Sequence, residues 1–214
     1  MGSEAIAGGD SSMALGNKSS ASKAGALAFG FKTTSSGSGS IAVGPGAQAS
    51  GDGALAIGDG AGAAQLTAIA IGNGAQAGAA GLTPLAPGIS AIAIGNRAIA
   101  TQSVAVGSAA MASNGGAAYG DGAAATGSLA TALGPNASTT AANAVAIGSG
   151  SVANEDNSVS MGAPGNERRI TNVAAGTAAS DAATVGQVTS LQAQIEDLRR
   201  ECGLPARTAR ANTE

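Results

Sequence analysis

A phrase of large apolar residue, alanine, large apolar residue and glycine recurs along the chain, as in Leu55-Ala56-Ile57-Gly58. The glycines that end the full and weaker copies are Gly16, Gly30, Gly44, Gly58, Gly72, Gly95, Gly107, Gly120, Gly134, Gly148 and Gly162. Successive glycines are 14 residues apart in most steps; the exceptions are one step of 23, which ends at Gly95, and the next two, of 12 and 13. Self-similarity at a nearly fixed interval predicts a solenoid.

Each repeat is expected to form one coil with two short strands. The two large residues of a phrase stand two positions apart, so in a strand they share one face, and the alanine between them points to the other. The glycine ends the strand and permits a tight turn. Small residues such as Ala47 and Ala49, three and five positions after Gly44, predict a second strand. Two strands of about four residues and two turns make one coil of an all-β parallel roll.

The pattern alone does not decide whether the large residues lie inside the roll or on its outer surface. A coil of 14 residues leaves room for alanine between its two sheets, so the large residues either fill the roll or form a seam on its outside. The first arrangement gives a monomeric core. The second exposes a continuous stripe of Ile, Val and Leu and predicts self-association. We favour association, because the C-terminal segment also has the pattern of a helix that needs partners.

The long step between Gly72 and Gly95 contains an insertion around Gly81–Gly88. Inserted loops of solenoids project from one face, and that face often binds ligands. The candidate ligand-binding residues are Leu82, Thr83, Pro84, Leu85 and Pro87. The alternative is a neutral insertion, since surface loops cost little free energy.

After Gly162 the repeat stops, and a helical spacing follows. Ser180 and Asp181 are the expected N-cap pair of this helix. Apolar residues then recur at the a and d positions of a coiled coil, at Val188, Leu191, Ile195, Leu198 and Cys202. Gly203 and Pro205 are expected to end the helix. In the assembled coil Cys202 either brings several thiols together or acts as a small buried apolar residue, and we favour the second reading.

Composition excludes several classes of function. Aromatic residues make up 1% of the chain and charged residues 11%, with a net charge of −3, so a nucleic-acid partner is not expected. The chain has no histidine and one cysteine, and its carboxylates are scattered, so we expect no enzyme, no cofactor and no metal site. No apolar run approaches the length of a membrane span, and no secretory signal is recognisable.

Two stretches carry a resemblance to a known family. They are Asn143-Ala-Val-Ala-Ile-Gly148 and the segment from Arg168-Arg-Ile-Thr-Asn172 to Val185-Gly-Gln-Val188. They resemble the head repeat and the neck of the trimeric autotransporter adhesins of Gram-negative bacteria, of the YadA type. The resemblance implies a left-handed parallel β-roll, three such rolls side by side in a homotrimer, and display on the bacterial outer membrane. It assigns the neck and trimer contacts to Arg168, Arg169, Ile170, Asn172, Val173, Asp181, Val188, Leu191, Ile195 and Leu198.

The resulting hypothesis divides the chain into an irregular leader (1–12), head repeats (13–162), a neck (163–187), the start of a parallel coiled-coil stalk (188–202) and a disordered tail (203–214). By resemblance, the head attaches a bacterium to host extracellular matrix or cells through repeated lateral contacts. The fragment is not expected to insert into a membrane itself. The alternative function is a structural spacer or fibre segment, such as part of a phage-like tail fibre, with no ligand of its own.

Overall fold

The computed structural model describes residues 2–78 and 90–204. The candidate loop residues Leu82, Thr83, Pro84, Leu85 and Pro87 lie outside the described residues, as does the tail from residue 205. The chain divides into two compact units, with the boundary between Arg168 and Arg169. The first unit is the solenoid, and the second contains the neck and a helix.

Among the described residues, the solenoid has 22 short strands in two parallel sheets. One sheet, which we call the mixed sheet, contains β1 (Ile6–Ala7), β3 (Ser20–Ala21), β5 (Thr34–Ser35), β7 (Gln48–Ala49), β9 (Gly62–Ala63), β11 (Gln76–Ala77), β13 (Ile99–Ala100), β15 (Met111–Ala112), β17 (Ala124–Ala125), β19 (Ser138–Thr139) and β21 (Val152–Ala153). The other, the aliphatic sheet, contains β2 (Met13–Leu15), β4 (Leu27–Phe29), β6 (Ile41–Val43), β8 (Leu55–Ile57), β10 (Ile69–Ile71), β12 (Ile92–Ile94), β14 (Val104–Val106), β16 (Ala117–Tyr119), β18 (Thr131–Leu133), β20 (Val145–Ile147) and β22 (Val159–Ser160).

Each coil contributes one strand to each sheet, and successive coils stack in register. In the aliphatic sheet Ile69 pairs with Leu55 on one side and with Ile92 on the other. The second of these pairings joins the coils on either side of the long step, so the insertion leaves the ladder unbroken. The parallel solenoid predicted from the repeat is therefore confirmed, and its strands of two or three residues are shorter than the four expected.

Alanine fills the interior of the roll. In a typical coil four alanines face inward, two from each side, as Ala54, Ala56, Ala61 and Ala63 do with at most 1% of their surface exposed. Where serine or threonine takes such a position, the hydroxyl bonds within the roll: Thr33 Oγ1, for example, donates to the Gly44 carbonyl at 2.7 Å. The large residues of the phrase therefore do not fill the roll, because its interior has room for a Cβ atom and little more.

The phrase-ending glycines form a column in which a side chain has no space. Gly58 has φ +131°, a conformation that L residues rarely adopt. A Cβ atom there would lie 2.4 Å from the carbonyl oxygen of Gly72 in the next coil. Other glycines of the column stack in the same way, so the glycine in the phrase is required by backbone stacking as well as by the turn.

The N-terminal segment differs from expectation. Residues 1–12 were expected to be irregular, yet Ile6 and Ala7 pair in register with Ser20 and Ala21. The solenoid therefore begins at β1, before the first full phrase. Ala5 packs against the first buried alanines of the roll, although no aliphatic phrase precedes it.

The second unit contains one helix among its described residues, α1 (Val185–Glu201). Its N-cap is Thr184, whose hydroxyl accepts from the Gln187 backbone N–H at 3.3 Å. The expected N-cap pair, Ser180 and Asp181, is therefore wrong, because the Asp181 carboxylate is bonded to backbone groups of the preceding turn. The helix ends as predicted before Gly203, with Cys202 as an exposed C-cap.

Candidate association and binding surfaces

The outer face of the aliphatic sheet carries two ladders of side chains. The first ladder is formed by the first residue of each strand: Met13, Leu27, Ile41, Leu55, Ile69, Ile92, Val104, Ala117, Thr131, Val145 and Val159. The second ladder is formed by the third residue of each strand: Leu15, Phe29, Val43, Ile57, Ile71, Ile94, Val106, Tyr119, Leu133 and Ile147. Because the strands pair in register, each ladder runs straight along the stack for about 48 Å at ~4.8 Å per coil.

These side chains are half-buried or exposed within a single chain. Val43 and Ile57 show 36% and 37% of their surface, and Leu133 shows 48%. The partial burial comes from neighbours in the same ladder, since the alanine between them takes the inward position. The large residues therefore form an external apolar surface, the second of the two arrangements left open by the sequence.

The outer face of the mixed sheet has a different chemistry. Its outward residues are Ile6, Ser20, Thr34, Gln48, Gly62, Gln76, Ile99, Met111, Ala124, Ser138 and Val152. No described position in this series is charged. Its middle carries an apolar pair, Ile99 and Met111, which are register partners in adjacent coils and are 40% and 44% exposed. Sequence reasoning missed this face, because its strands are short and their outward residues follow no phrase.

The acidic groups of the turns tie coils together. The carboxylates of Asp52, Asp121 and Asp156 accept hydrogen bonds from backbone N–H groups of the preceding coil at 2.7–2.8 Å. In the part of the chain that the structure describes, no three His, Cys, Asp or Glu side chains come together as a metal site would require.

Arg168 covers the C-terminal end of the solenoid. Its guanidinium donates to the Ser151 hydroxyl at 2.8 Å, to the Met161 carbonyl at 3.0 Å and to the Ser149 carbonyl. The sequence analysis placed Arg168 in the neck. Within one chain it lies against the last coils, where its planar donors satisfy acceptors that have no further coil to meet.

The neck turn is held by two polar side chains. The Asp181 carboxylate accepts from the N–H groups of Ala178 and Thr177, both at 2.9 Å, and these bonds hold the pKa of Asp181 below its ordinary value. The Gln187 side chain accepts from the Gly176 N–H at 3.0 Å and donates to the Gly176 carbonyl at 2.8 Å. Gln187 was missed by the sequence analysis, although a Thr-x-x-Gln spacing before an apolar run is the signature of a capping box.

The remaining predicted neck and stalk residues are exposed or only partly buried within the described part of the chain. Ile170 and Val173 are exposed, and Arg169 and Asn172 lie beside them, with Asn172 at φ +60°. Helix α1 has no buried residue: Val188, Leu191, Ile195 and Leu198 are 47–60% exposed. No helix among the described residues is long and apolar enough to span a bilayer.

Comparison with known proteins agrees with this geometry. A family profile described as "YadA head domain repeat (2 copies)" matches residues 7–33, 35–61, 86–108, 125–151 and 140–163. A second, described as "Coiled stalk of trimeric autotransporter adhesin", matches residues 169–200.

Among solved structures, the crystal structure of the collagen-binding domain of the Yersinia adhesin YadA is 28% identical in sequence, with a TM-score of 0.54. The match covers 85% of this chain and 86% of that one. No curated protein matches in a sequence search. The head profile alone spans more than half of the residues, and fold and stalk agree with it, so the chain belongs to the trimeric autotransporter adhesins.

Proposed function

We propose that this chain is the head and the first part of the stalk of a homotrimeric adhesin on the bacterial outer membrane, and that it attaches the cell to host extracellular matrix or cells. The observation that best supports this proposal is the pair of outward aliphatic ladders. About twenty large side chains with roughly 50 Å² exposed on each give a patch on the order of 1,000 Å², beyond the ~300–600 Å² of the largest patch on a typical monomer. Such a surface calls for a partner along its whole length.

A partner of the same kind fits that surface. Three copies related by a rotation axis parallel to the stack keep equivalent coils at equal heights, so the aliphatic ladders of neighbouring copies meet along their full length. Helix α1 supports the same assembly independently, because its a and d positions are exposed and a helix of 17 residues is marginal in isolation. Partner helices would bury Val188, Leu191, Ile195 and Leu198 in one seam.

In such a trimer the mixed sheet faces outward and is available to a ligand. Its outward positions recur at each coil spacing, and serine, threonine or glutamine occupies five of the eleven described, besides the apolar pair Ile99 and Met111. Regularly repeated weak contacts on three copies suit an extended, repetitive partner, since simultaneous engagement multiplies affinity. The similarity to a collagen-binding domain makes fibrillar collagen the first matrix protein to test.

The experiment measures binding of the chain to immobilised fibrillar collagen, with other matrix proteins and intact host cells in parallel. We expect saturable binding that weakens strongly when Ile99 and Met111 are both replaced by aspartate. The control is the pair Ser20→Asp and Ser138→Asp, which places the same charges on the same face away from the apolar pair. A trimer that binds none of these partners would favour the alternative function, a spacer or fibre segment.

The loop that contains Leu82, Thr83, Pro84, Leu85 and Pro87 remains a candidate ligand-binding segment. The strands that flank it pair directly, Ile69 with Ile92 and Gln76 with Ile99, so deletion of residues 82–87 is expected to leave the solenoid folded. If the loop binds the ligand, the deletion lowers binding while the melting temperature stays unchanged. If binding is also unchanged, the loop is a neutral insertion.

A further inference from the structure

The first ladder of the aliphatic sheet carries small residues at two adjacent strands, and the second ladder carries a tyrosine at one of them. In the first ladder every described rung carries Met, Leu, Ile or Val except the adjacent rungs Ala117 and Thr131. In the second ladder the same strands carry Tyr119, the only tyrosine of the chain, and Leu133. This face therefore has a recess in one ladder beside a projection in the other.

The second-ladder residues of these two strands are more exposed than the rungs directly beside them. Tyr119 is 41% exposed and Leu133 is 48% exposed, whereas their neighbours in the same ladder, Val106 and Ile147, are half-buried. Tyr119 has Val106 and Leu133 as register partners, and Ala117 has Val104 and Thr131. Within one chain nothing described covers the recess, so the size of Ala117 is not set by packing inside the roll.

Rotational symmetry brings the recess of one copy to the projection of another. The strands run across the stack, so the first and second ladders are the two edges of the aliphatic face. When three such faces surround a common axis, the first ladder of each copy meets the second ladder of its neighbour, because the contacts of a closed ring are heterologous. Equivalent coils share one height, which places Ala117 of one copy opposite Tyr119 of the neighbouring copy.

We propose that Tyr119 of each copy seats over Ala117 and Thr131 of its neighbour and thereby fixes the axial register of the trimer. This inference rests on the homotrimer proposed above and deepens it. Apart from Met13 and Phe29, the other rungs carry Ile, Leu or Val, so over most of the seam a copy displaced by one coil would still match aliphatic to aliphatic. A displacement by one coil in one direction sets Tyr119 against Val104 of β14, which overpacks the seam. In the other direction it sets Val106 against Ala117, which leaves a cavity.

The test exchanges the small side chain at Ala117 and the large side chain at Tyr119. Ala117→Leu fills the recess, Tyr119→Ala removes the projection, and the double variant places leucine opposite alanine in every interface. We expect each single variant to weaken trimer association by at least about tenfold, a cost typical of overpacking or cavity formation. The double variant is expected to recover most of the loss. Val145→Leu, on the same ladder but away from Tyr119, is the matched control and leaves association within a few-fold.

A mixing experiment separates contacts between copies from contacts within one chain. Chains with Ala117→Leu and chains with Tyr119→Ala, carrying different tags, are refolded together, and the composition of the trimers is read by native mass spectrometry. We expect mixed trimers in excess of the statistical proportion, because a mixed trimer contains interfaces in which a large residue meets a small one. A statistical distribution, or single variants whose losses add in the double, would overturn the proposal.

A failure of the proposed homotrimer can be told apart from a failure of the register role of Tyr119. If the unmodified chain is not trimeric, there is no seam whose register could be fixed, and the mass of the unmodified protein shows this before any variant is made. If it is trimeric and Ala117→Leu assembles as well as Val145→Leu does, the homotrimer stands and the register role of Tyr119 is wrong. Circular dichroism of each variant verifies that the outward substitutions leave the roll folded.

Discussion

The two outer faces of the solenoid are built from the same coils and differ in what they expose. The aliphatic sheet presents two ladders of mostly large apolar side chains, interrupted in the first ladder at Ala117 and Thr131. The mixed sheet presents mainly Ser, Thr, Gln and small residues, with an apolar residue near each end and the pair Ile99 and Met111 between them. Inside, the two sheets meet through alanine, with serine or threonine at a few positions. The two sides of each strand therefore have different roles. The inward residues pack the interior and stabilise the roll, and the outward residues form the surface that is available to a partner.

The largest expected effect contrasts the two faces within a single coil. Ile94 lies on the aliphatic face and Ile99 on the mixed face, with similar partial exposure in the single chain. Ile94→Asp is expected to abolish trimer formation at micromolar concentration, because the seam would bury an unpaired carboxylate. Ile99→Asp is expected to leave the mass at three chains. Light scattering after size exclusion gives both values, and equal behaviour of the two variants would contradict the assignment of faces.

The second contrast sets the inside of the roll against its outside. Ala93 is fully buried between the sheets, whereas Ala124 points outward from the mixed sheet. Ala93→Leu is expected to lower the free energy of unfolding by about 3 kcal/mol, since the coil has no space for three added carbons. Ala124→Leu is expected to stay within about 0.5 kcal/mol. Chemical denaturation measures the free energy of unfolding of both variants. If Ala93→Leu is as stable as Ala124→Leu, the coil can widen to accept a larger inward side chain.

A third prediction concerns the end of the stack. Arg168→Met retains much of the side-chain length and removes the hydrogen bonds to Ser149, Ser151 and Met161, so we expect a loss of about 1 kcal/mol. Arg97→Met, in a turn in the middle of the stack, serves as control and is expected to change little. If both variants melt alike, Arg168 does not stabilise the last coil.

The smallest expected effect is a pH dependence of the neck. Backbone hydrogen bonds lower the pKa of Asp181, so its contribution to stability is present above the unfolded pKa of about 4 and is lost as pH falls through the lower folded value. Asp181→Asn is expected to melt below the unmodified protein at neutral pH and to match it near pH 2. A constant difference between the two melting temperatures at both pH values would exclude this carboxylate as the titrating group.

The sequence predicted the period, the parallel coils and the C-terminal helix, because a regular spacing shows which residues are equivalent. The sequence also indicates that the large side chains of the phrase point out of the roll. A core needs side chains from both sheets, yet strands of the mixed sheet such as Gln48–Ala49 offer no large residue to meet Ile41 or Leu55. Four small positions in every coil indicate an alanine interior.

Other features could not be obtained from the pattern. The guanidinium of Arg168 reaches back over the last coil through a turn whose path depends on Gly162 and Asn166, and a sequence pattern does not define that path. By contrast, the pair Ile99 and Met111 was readable, because each stands four residues after its phrase-ending glycine and the stacked coils pair such equivalent positions in register. The N-cap at Thr184 was readable from Gln187 three residues later.

The most direct measurement of the central claim is the solution mass of the unmodified chain, by light scattering over a range of concentrations under reducing conditions. Three copies of the 19.7 kDa chain, about 59 kDa, are the predicted result, because the aliphatic face and the seam of α1 both need partner copies. A mass of one chain at all concentrations would contradict the account, since the two ladders would then remain exposed to water without a partner.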